Sequence, residues 1–211
     1  YLFEGLSFKV EPGTSVAIVG PSGCGKSTLM RMIGGIEAPF AGEIQFRNLE
    51  GVMIRPFPSF GKICLVGQNP TTVEGNLIQN LVLSTTDVLS PLKHELLQKS
   101  LNISGFGKVV DTFSDGLSTN IGQMHRQLSG GEAYKLALSR ALFQCPDVLL
   151  LDEPTAAFDS DSAAYFFEKL HEYKSNRILI VVTHSEAHLK EFDAVIRLGK
   201  GTQVKFEKVS M

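Results

Sequence analysis

Three short segments of this 211-residue chain carry residue types whose spacing suits phosphate chemistry. The first is Gly20-Pro21-Ser22-Gly23-Cys24-Gly25-Lys26-Ser27, followed by Thr28, which satisfies G-x-x-x-x-G-K-[ST] at every fixed position. Glycines let such a loop curl until successive backbone N–H groups converge on phosphate oxygens. A helix opening near Lys26 would add its positive end. The Lys26 ammonium suits β- and γ-phosphates, and the Ser27 hydroxyl suits Mg²⁺. The bland alternative is a glycine-rich turn with an incidental lysine. An apolar run before the loop and helix formers after it weigh against that alternative, because phosphate binding requires both. By itself the loop does not choose between a kinase, a GTPase and an ATPase.

The second segment, Val148-Leu-Leu-Leu-Asp152-Glu153-Pro154-Thr155, sets two carboxylates directly after an apolar run. Ligands of open α/β sheets gather at the carboxyl ends of strands, where this pair falls. Asp152 suits the Mg²⁺ shell, through water. Glu153 suits the attacking water, as general base or as its orienting group. In the third segment, Leu128-Ser129-Gly130-Gly131-Glu132, a serine and two glycines open a helical stretch. A hydroxyl and free N–H groups at a helix start suit an anion, although plain helix capping explains the same residues in isolation.

The elements that must hold these segments are legible as alternating strands and helices. Leu2 to Val10 alternates loosely, and Ser15 to Val19 is a short apolar run of the kind that forms a buried strand. Lys26 to Ile33 reads as a helix closed by Gly34-Gly35. Glu43 to Phe46 and Lys62 to Val66 read as strands around a loop holding Pro56 and Pro58. His94 to Ser100 and Glu132 to Phe143 read as helices, with a turn at Asp115-Gly116 between them. Strand pattern returns at Val148 to Leu151, Ile178 to Thr183 and Ala194 to Leu198, with helical stretches at Ser162 to Tyr173 and Glu186 to Phe192 between. Such alternation predicts an α/β fold with a mostly parallel sheet covered on both faces.

Bulk composition narrows the function classes. Hydrophobic residues make up 43% and charged residues 20%, which fits a folded globular domain. A net charge of −2 gives no electrostatic case for nucleic acid as the main partner. Cys24, Cys64 and Cys145 are scattered, which supports neither a disulfide framework nor a zinc site. His184 and His188 stand four apart, but no third ligand accompanies them. No apolar run approaches the ~20 residues needed to span a bilayer. The first residue, Tyr1, enters directly into strand-like sequence, so the chain reads as a segment of a longer protein.

The order of the phosphate loop, Val66-Gly67-Gln68, Leu-Ser-Gly-Gly-Glu, Leu-Leu-Leu-Asp-Glu-Pro-Thr and Val182-Thr183-His184 resembles the nucleotide-binding domain of ABC ATPases, over nearly the whole chain. The resemblance implies a P-loop, RecA-like core, residues 1–70 and 146–211, with an antiparallel β subdomain. It also implies an α-helical subdomain inserted at 71–145. ATP and Mg²⁺ would be the ligands. Gly20, Ser22, Gly23, Cys24, Gly25, Lys26, Ser27 and Thr28 would bind ATP in one chain. Ser129, Gly130, Gly131 and Glu132 would complete the pocket in a second. Ser27, Gln68 and Asp152 would serve the metal. Glu153, His184 and Gln68 would be catalytic, with Gln68 linking the metal and water to the helical subdomain and His184 meeting the γ-phosphate. Asp159 would couple the two sites across the dimer.

Val73-Glu-Gly-Asn-Leu-Ile-Gln-Asn-Leu81 and Asp115-Gly-Leu-Ser-Thr-Asn-Ile-Gly122 are similar to exporter segments that touch the membrane part. Gln123, Glu132 and Tyr134-Lys135 depart from the exporter pattern. The implied protein is an exporter motor at the cytoplasmic face of a membrane. Its implied partners are a second nucleotide-binding domain, identical or not, and a transmembrane domain fused upstream. The residue that stacks on adenine would lie before Tyr1, so weak ATP affinity is expected of this chain alone. The alternative is a non-transport ABC ATPase acting on DNA or ribosomes. The stretch from Lys26 to Leu128 holds no heptads of the kind that chromosome-acting members carry there.

Overall fold

The computed structural model describes residues 2–47, 53–54, 63–83, 90–122, 125–199 and 204–209. The loop with Pro56 and Pro58, Lys62, Gln123 and Tyr1 lie outside the described residues. In chain order the elements begin with β1 (Ser15–Val19), α1 (Lys26–Ile33), β2 (Phe46–Arg47), β3 (Met53–Ile54) and β4 (Ile63–Val66). Then come β5 (Gly75–Asn76), α2 (Leu77–Val82), α3 (Pro91–Ser104), α4 (Gly107–Val110), β6 (Asn120–Ile121) and α5 (Gly130–Phe143). The chain continues through β7 (Val148–Asp152), α6 (Ser160–Tyr173), β8 (Ile178–Val182), β9 (Ala194–Leu198) and β10 (Val204–Lys208).

A six-stranded sheet runs in the order β10-β9-β1-β8-β7-β4. The pairs β1–β8, β1–β9 and β7–β8 are parallel, while β10 closes the edge antiparallel to β9. The small β2–β3 pair is antiparallel. This is the mixed, mostly parallel α/β architecture that the alternating pattern predicts. Strand β1 has neighbours on both sides, and Val16, Ala17 and Ile18 are fully buried. Burial on both faces is why its sequence is a continuous apolar run rather than an alternation.

The chain divides into two compact units. One comprises Tyr1–Leu65, Pro146–Glu153 and Tyr173–Met211; the other comprises Val66–Cys145 and Pro154–Glu172. The first unit packs Leu29, Met30 and Ile33 of α1 with Val16, Ile18, Leu150, Ile180 and Ile196 of the sheet. The second has its own core of Leu77, Leu81, Leu97, Leu101, Phe106, Leu136 and Phe143. Within it, Arg140 of α5 donates from Nε to the Asn80 carbonyl at 2.8 Å. The fully buried Asn80 side chain donates to the Val73 carbonyl and accepts from its N–H. That network fixes α5, and hence its start at Gly130, against α2.

Several element boundaries shift from the sequence pattern for local reasons. Helix α3 is longer than His94 to Ser100, because Ser90 caps it, Pro91 opens it and Gly105 ends it at φ 68. Phe46–Arg47, rather than Glu43 to Phe46, forms the strand. Glu186 to Phe192 is a 3₁₀ stretch over Glu186–Glu191, not an α-helix. Leu2 to Val10 forms no strand, yet Phe3, Leu6, Phe8 and Val10 pack on the core. Their alternation reports one-sided burial without a ladder. Helix α2 and strand β10 have no counterpart in the pattern reading; α2 is only six residues long and rests on a capping box between Asn76 and Gln79.

One charged cluster pins the sheet at its lower edge. Asp193 Oδ2 accepts hydrogen bonds from the Ser15 N–H at 2.6 Å, the Ser15 hydroxyl at 2.7 Å and Lys174 Nζ at 2.7 Å. Burial pushes the Asp193 carboxyl up, but the bonds from Lys174 and Ser15 outweigh it and hold the group below its ordinary value. A depressed carboxylate contributes stability that is complete above its unfolded value of 3.8 and is lost as pH falls through the lower folded value. Asp193→Asn is therefore expected to destabilise the chain by about 1 kcal/mol at neutral pH. In urea melts, the gap between parent and variant should close below about pH 4. A gap of constant size down to pH 2 would contradict the assignment.

Candidate active site

Parallel register brings the chemical segments of the first unit to one edge of the sheet. Asp152 pairs with Val182 across β7–β8, and Ile18 pairs with Val182 across β1–β8. The loops that leave β1, β7 and β8 therefore emerge side by side at the carboxyl ends of their strands. Those loops carry the phosphate-binding motif, Glu153 and His184.

The phosphate loop is shaped by two glycines in particular. A Cβ on Gly20 would stand 2.3 Å from the Leu198 carbonyl oxygen, so no other residue fits there. Gly25 caps α1 in the left-handed region at φ 102, where a side chain would be strained. The first helical hydrogen bond of α1 runs from the Leu29 N–H to the Gly25 carbonyl at 2.8 Å. The N–H groups of Lys26, Ser27 and Thr28 precede it and face out of the helix start, as an anion cradle requires. Lys26 is 6% exposed, and its ammonium donates to the carbonyls of Gly20 at 2.9 Å and Pro21 at 3.1 Å. The loop thus holds the cation over itself rather than releasing it to solvent. Cys24 is buried with the core residues, which gives it a packing role beside its backbone position in the loop.

Asp152 is 6% exposed, and its Oδ1 is buried without a hydrogen-bond partner. Burial raises its carboxyl above the ordinary range, and Glu153 adds to this, while the Ser27 hydroxyl, Lys26 and Arg31 work against it. An orphaned carboxylate oxygen beside a serine hydroxyl fits a divalent cation or a water of its shell. No group of three or more His, Cys, Asp or Glu among the described residues could hold a metal unaided. A cation here would need oxygens from a nucleotide and water to complete its shell.

Glu153 occupies the left-handed region at φ 52, a conformation that costs a non-glycine residue about 1–3 kcal/mol. Its N–H donates to the Val182 carbonyl at 3.0 Å, which locks that backbone against β8. The side chain meets His184, with Glu153 Oε1 and His184 Nε2 at 2.7 Å. His184 is delivered by β8, whose pairing continues one residue further through Thr183 N–H to the Ile18 carbonyl at 3.1 Å. A recess of ≈ 340 Å³ lined by Gly20, Pro21, Thr183, His184 and Arg197 lies beside the pair. The first unit thus assembles a phosphate loop, a buried carboxylate and a paired carboxylate and imidazole.

The remaining candidates belong to the second unit. Gln68 is exposed just after β4. Ser129 caps α5: its Oγ accepts the Glu132 N–H at 3.3 Å, and Glu132 Oε2 accepts the Ser129 N–H at 2.8 Å. Gly130 and Gly131 form the first turn of that helix. The capping explanation and the anion explanation are therefore compatible, since the capping box leaves other N–H groups of the first turn available. Asp159 accepts from the Ser162 N–H and hydroxyl, both at 2.9 Å, at the start of α6. Those bonds hold its carboxyl below the ordinary range.

Sequence reasoning passed over two arginines. Arg31 donates from Nη2 to the Thr28 hydroxyl at 3.4 Å and acts on Asp152; its position one helical turn after Thr28 was the available signal. Arg126 lies near Glu132, and nothing in the spacing points to it.

Known proteins resemble the chain in both sequence and fold. A family model described as "ABC transporter" matches residues 3–156. Multidrug resistance protein pgp-1 of Caenorhabditis elegans is 30% identical over 204 residues, covering 97% of this chain and 15% of that protein. ATP-binding cassette sub-family B member 5 of Homo sapiens is 30% identical over 201 residues, covering 95% of this chain and 16% of that protein. A solved bacterial Atm1-family ABC exporter with ATP bound superposes with a TM-score of 0.82 at 26% identity, over 98% of this chain and 36% of that one. The chain spans about one sixth of the length of these two curated relatives.

Proposed function

Because the chain belongs to the ABC transporter family and is an ATPase domain of that family, we propose that it is the motor of a membrane exporter. The observation that carries the reading is the convergence of Lys26, Asp152, Glu153 and His184 at one sheet edge. Lys26 and the first-turn N–H groups of α1 would bind the β- and γ-phosphates. Ser27 and Asp152 would hold Mg²⁺, which neutralises charge that develops on the phosphate oxygens.

Glu153 takes the proton of the attacking water, or aligns that water, from a side chain already fixed by the strained backbone behind it. His184 orients the Glu153 carboxylate and faces the γ-phosphate. Catalysis of this kind is positioning and charge stabilisation more than covalent chemistry. Ser129, Gly130, Gly131 and Glu132 of a second domain would close the nucleotide pocket, with Asp159 coupling the two sites. Closure and reopening of that pair would move membrane helices, placing the domain at the cytoplasmic face. No described helix is long and apolar enough to cross a membrane, so the spanning helices are assigned to another part of the protein. A non-transport role on DNA or ribosomes finds no support among the relatives named above.

Phosphate release from ATP, with Mg²⁺ and with an excess of EDTA, tests the site. Release should require the cation, and EDTA should suppress it by about 10²-fold or more. Release that continues in EDTA at the same rate would remove Ser27 and Asp152 from the metal role.

A further inference from the structure

Helix α5 opens on a feature that runs against its proposed task. Its first turn is to receive a γ-phosphate, yet it carries a fixed carboxylate. The capping box holds Glu132 Oε2 on the Ser129 N–H at 2.8 Å, so the negative charge cannot swing away without giving up that bond. Like charges brought together at a helix start repel each other and offset part of the attraction that its N–H groups offer.

Arg126 stands where it can cancel that charge. Its Nη2 lies 3.9 Å from Glu132 Oε1, the carboxylate oxygen that the capping box leaves over. The guanidinium is half exposed, yet one side of it is held. Its central carbon sits 4.2 Å from the centroid of the Phe113 ring, and Phe113 is buried in the core of this unit. Its backbone is also held, with the Gly122 N–H donating to the Arg126 carbonyl at 3.3 Å and a bridge joining Ile121 to Arg126. Lys135, further along α5, is turned to the Phe158 ring at 4.9 Å instead. Ring stacking with a planar guanidinium keeps the cation in place at little further entropic cost.

We infer that Arg126 is a positioning residue for the nucleotide: it neutralises Glu132, so that the Ser129–Gly131 turn keeps its capping box and still accepts a phosphate. The inference rests on the proposed role of that turn in a second domain's pocket. Arg126 acts through Glu132 and touches no reacting atom.

A mutant cycle on the intact gene product tests it, reading ATP hydrolysis against ATP concentration for Arg126→Ala, Glu132→Gln and the double variant. Arg126→Ala should raise KM for ATP about threefold to fivefold with a smaller change in kcat, while Arg126→Lys, which keeps the charge but not the planar stack on Phe113, should raise it less than Arg126→Ala. Glu132→Gln keeps the capping box without the charge, so adding Arg126→Ala to it should change KM no further. An equal rise in KM in both backgrounds would overturn the inference, because Arg126 would then act on the nucleotide or on the fold. No rise in either background would overturn it as well. Ser129→Arg, measured beside them, separates the two levels. If that variant keeps the parent rate, the role of the turn itself fails. If it loses hydrolysis while Arg126→Ala changes nothing, only the role of Arg126 fails.

Discussion

Glu153→Gln should lower the rate of ATP hydrolysis by about 10²–10⁴-fold while leaving ATP bound. The amide is nearly the same size, and the backbone at φ 52 with its bond to Val182 does not depend on the charge. What disappears is the acceptor that takes or aligns the proton of water. The 2.7 Å contact with His184 Nε2 can survive, because a glutamine oxygen still accepts. Binding and chemistry should therefore separate: ATP affinity stays near the parent value, and only phosphate release falls. Hydrolysis by Glu153→Gln at the parent rate would show that this carboxylate is not the catalytic one. Loss of ATP binding along with hydrolysis would show instead that Glu153 serves the fold of the loop.

Lys26→Ala should remove both binding and hydrolysis, the latter by about 10²–10³-fold. The ammonium is 6% exposed and held by the Gly20 and Pro21 carbonyls, so it is fixed before any nucleotide arrives. A preorganised cation in a water-poor loop stabilises developing phosphate charge more than a solvated one. Alanine would also leave those two carbonyls without their donor, so part of the loss would come from a rearranged loop. Lys26→Arg separates the two effects. It keeps the charge but replaces a point-like ammonium with a larger, planar fork, and it should recover little activity. Full activity in Lys26→Arg would mean that charge alone is needed at this position.

The strands that lead into the phosphate loop and into Asp152 were legible because their burial on both faces demands unbroken apolar runs, as at Val16 to Ile18 and Leu149 to Leu151. The motif residues were legible because phosphate geometry tolerates few substitutes, and at Gly20 packing adds a second reason, since a Cβ there would stand 2.3 Å from the Leu198 carbonyl oxygen. The left-handed backbone of Glu153 was not legible, since glutamate carries no preference for it and only the ladder to Val182 imposes it. Helix α2 escaped notice because six residues hold too little periodicity to register. The stretch at Glu186–Glu191 carries helix formers but tightens into 3₁₀ geometry, with Ser185 giving it no side-chain cap. Arg126 escaped because its partners, Phe113 and Glu132, are joined to it by the fold of the second unit rather than by spacing. For Ser129 and Asp159 the resemblance implies a role and the structure adds capping partners, while for Gln68 it adds only an exposed place after β4.

The central claim is that each ATP is hydrolysed between one domain's phosphate loop and another domain's Ser129 turn. Mixing two inactive forms of the chain, Lys26→Ala and Ser129→Arg, tests this most directly. A mixed pair holds one pocket built from an intact loop and an intact turn, and a second pocket with both parts broken. Phosphate release should therefore return on mixing, to about a quarter of the parent rate under random pairing. Release from the mixture no greater than from the two variants apart would contradict the claim.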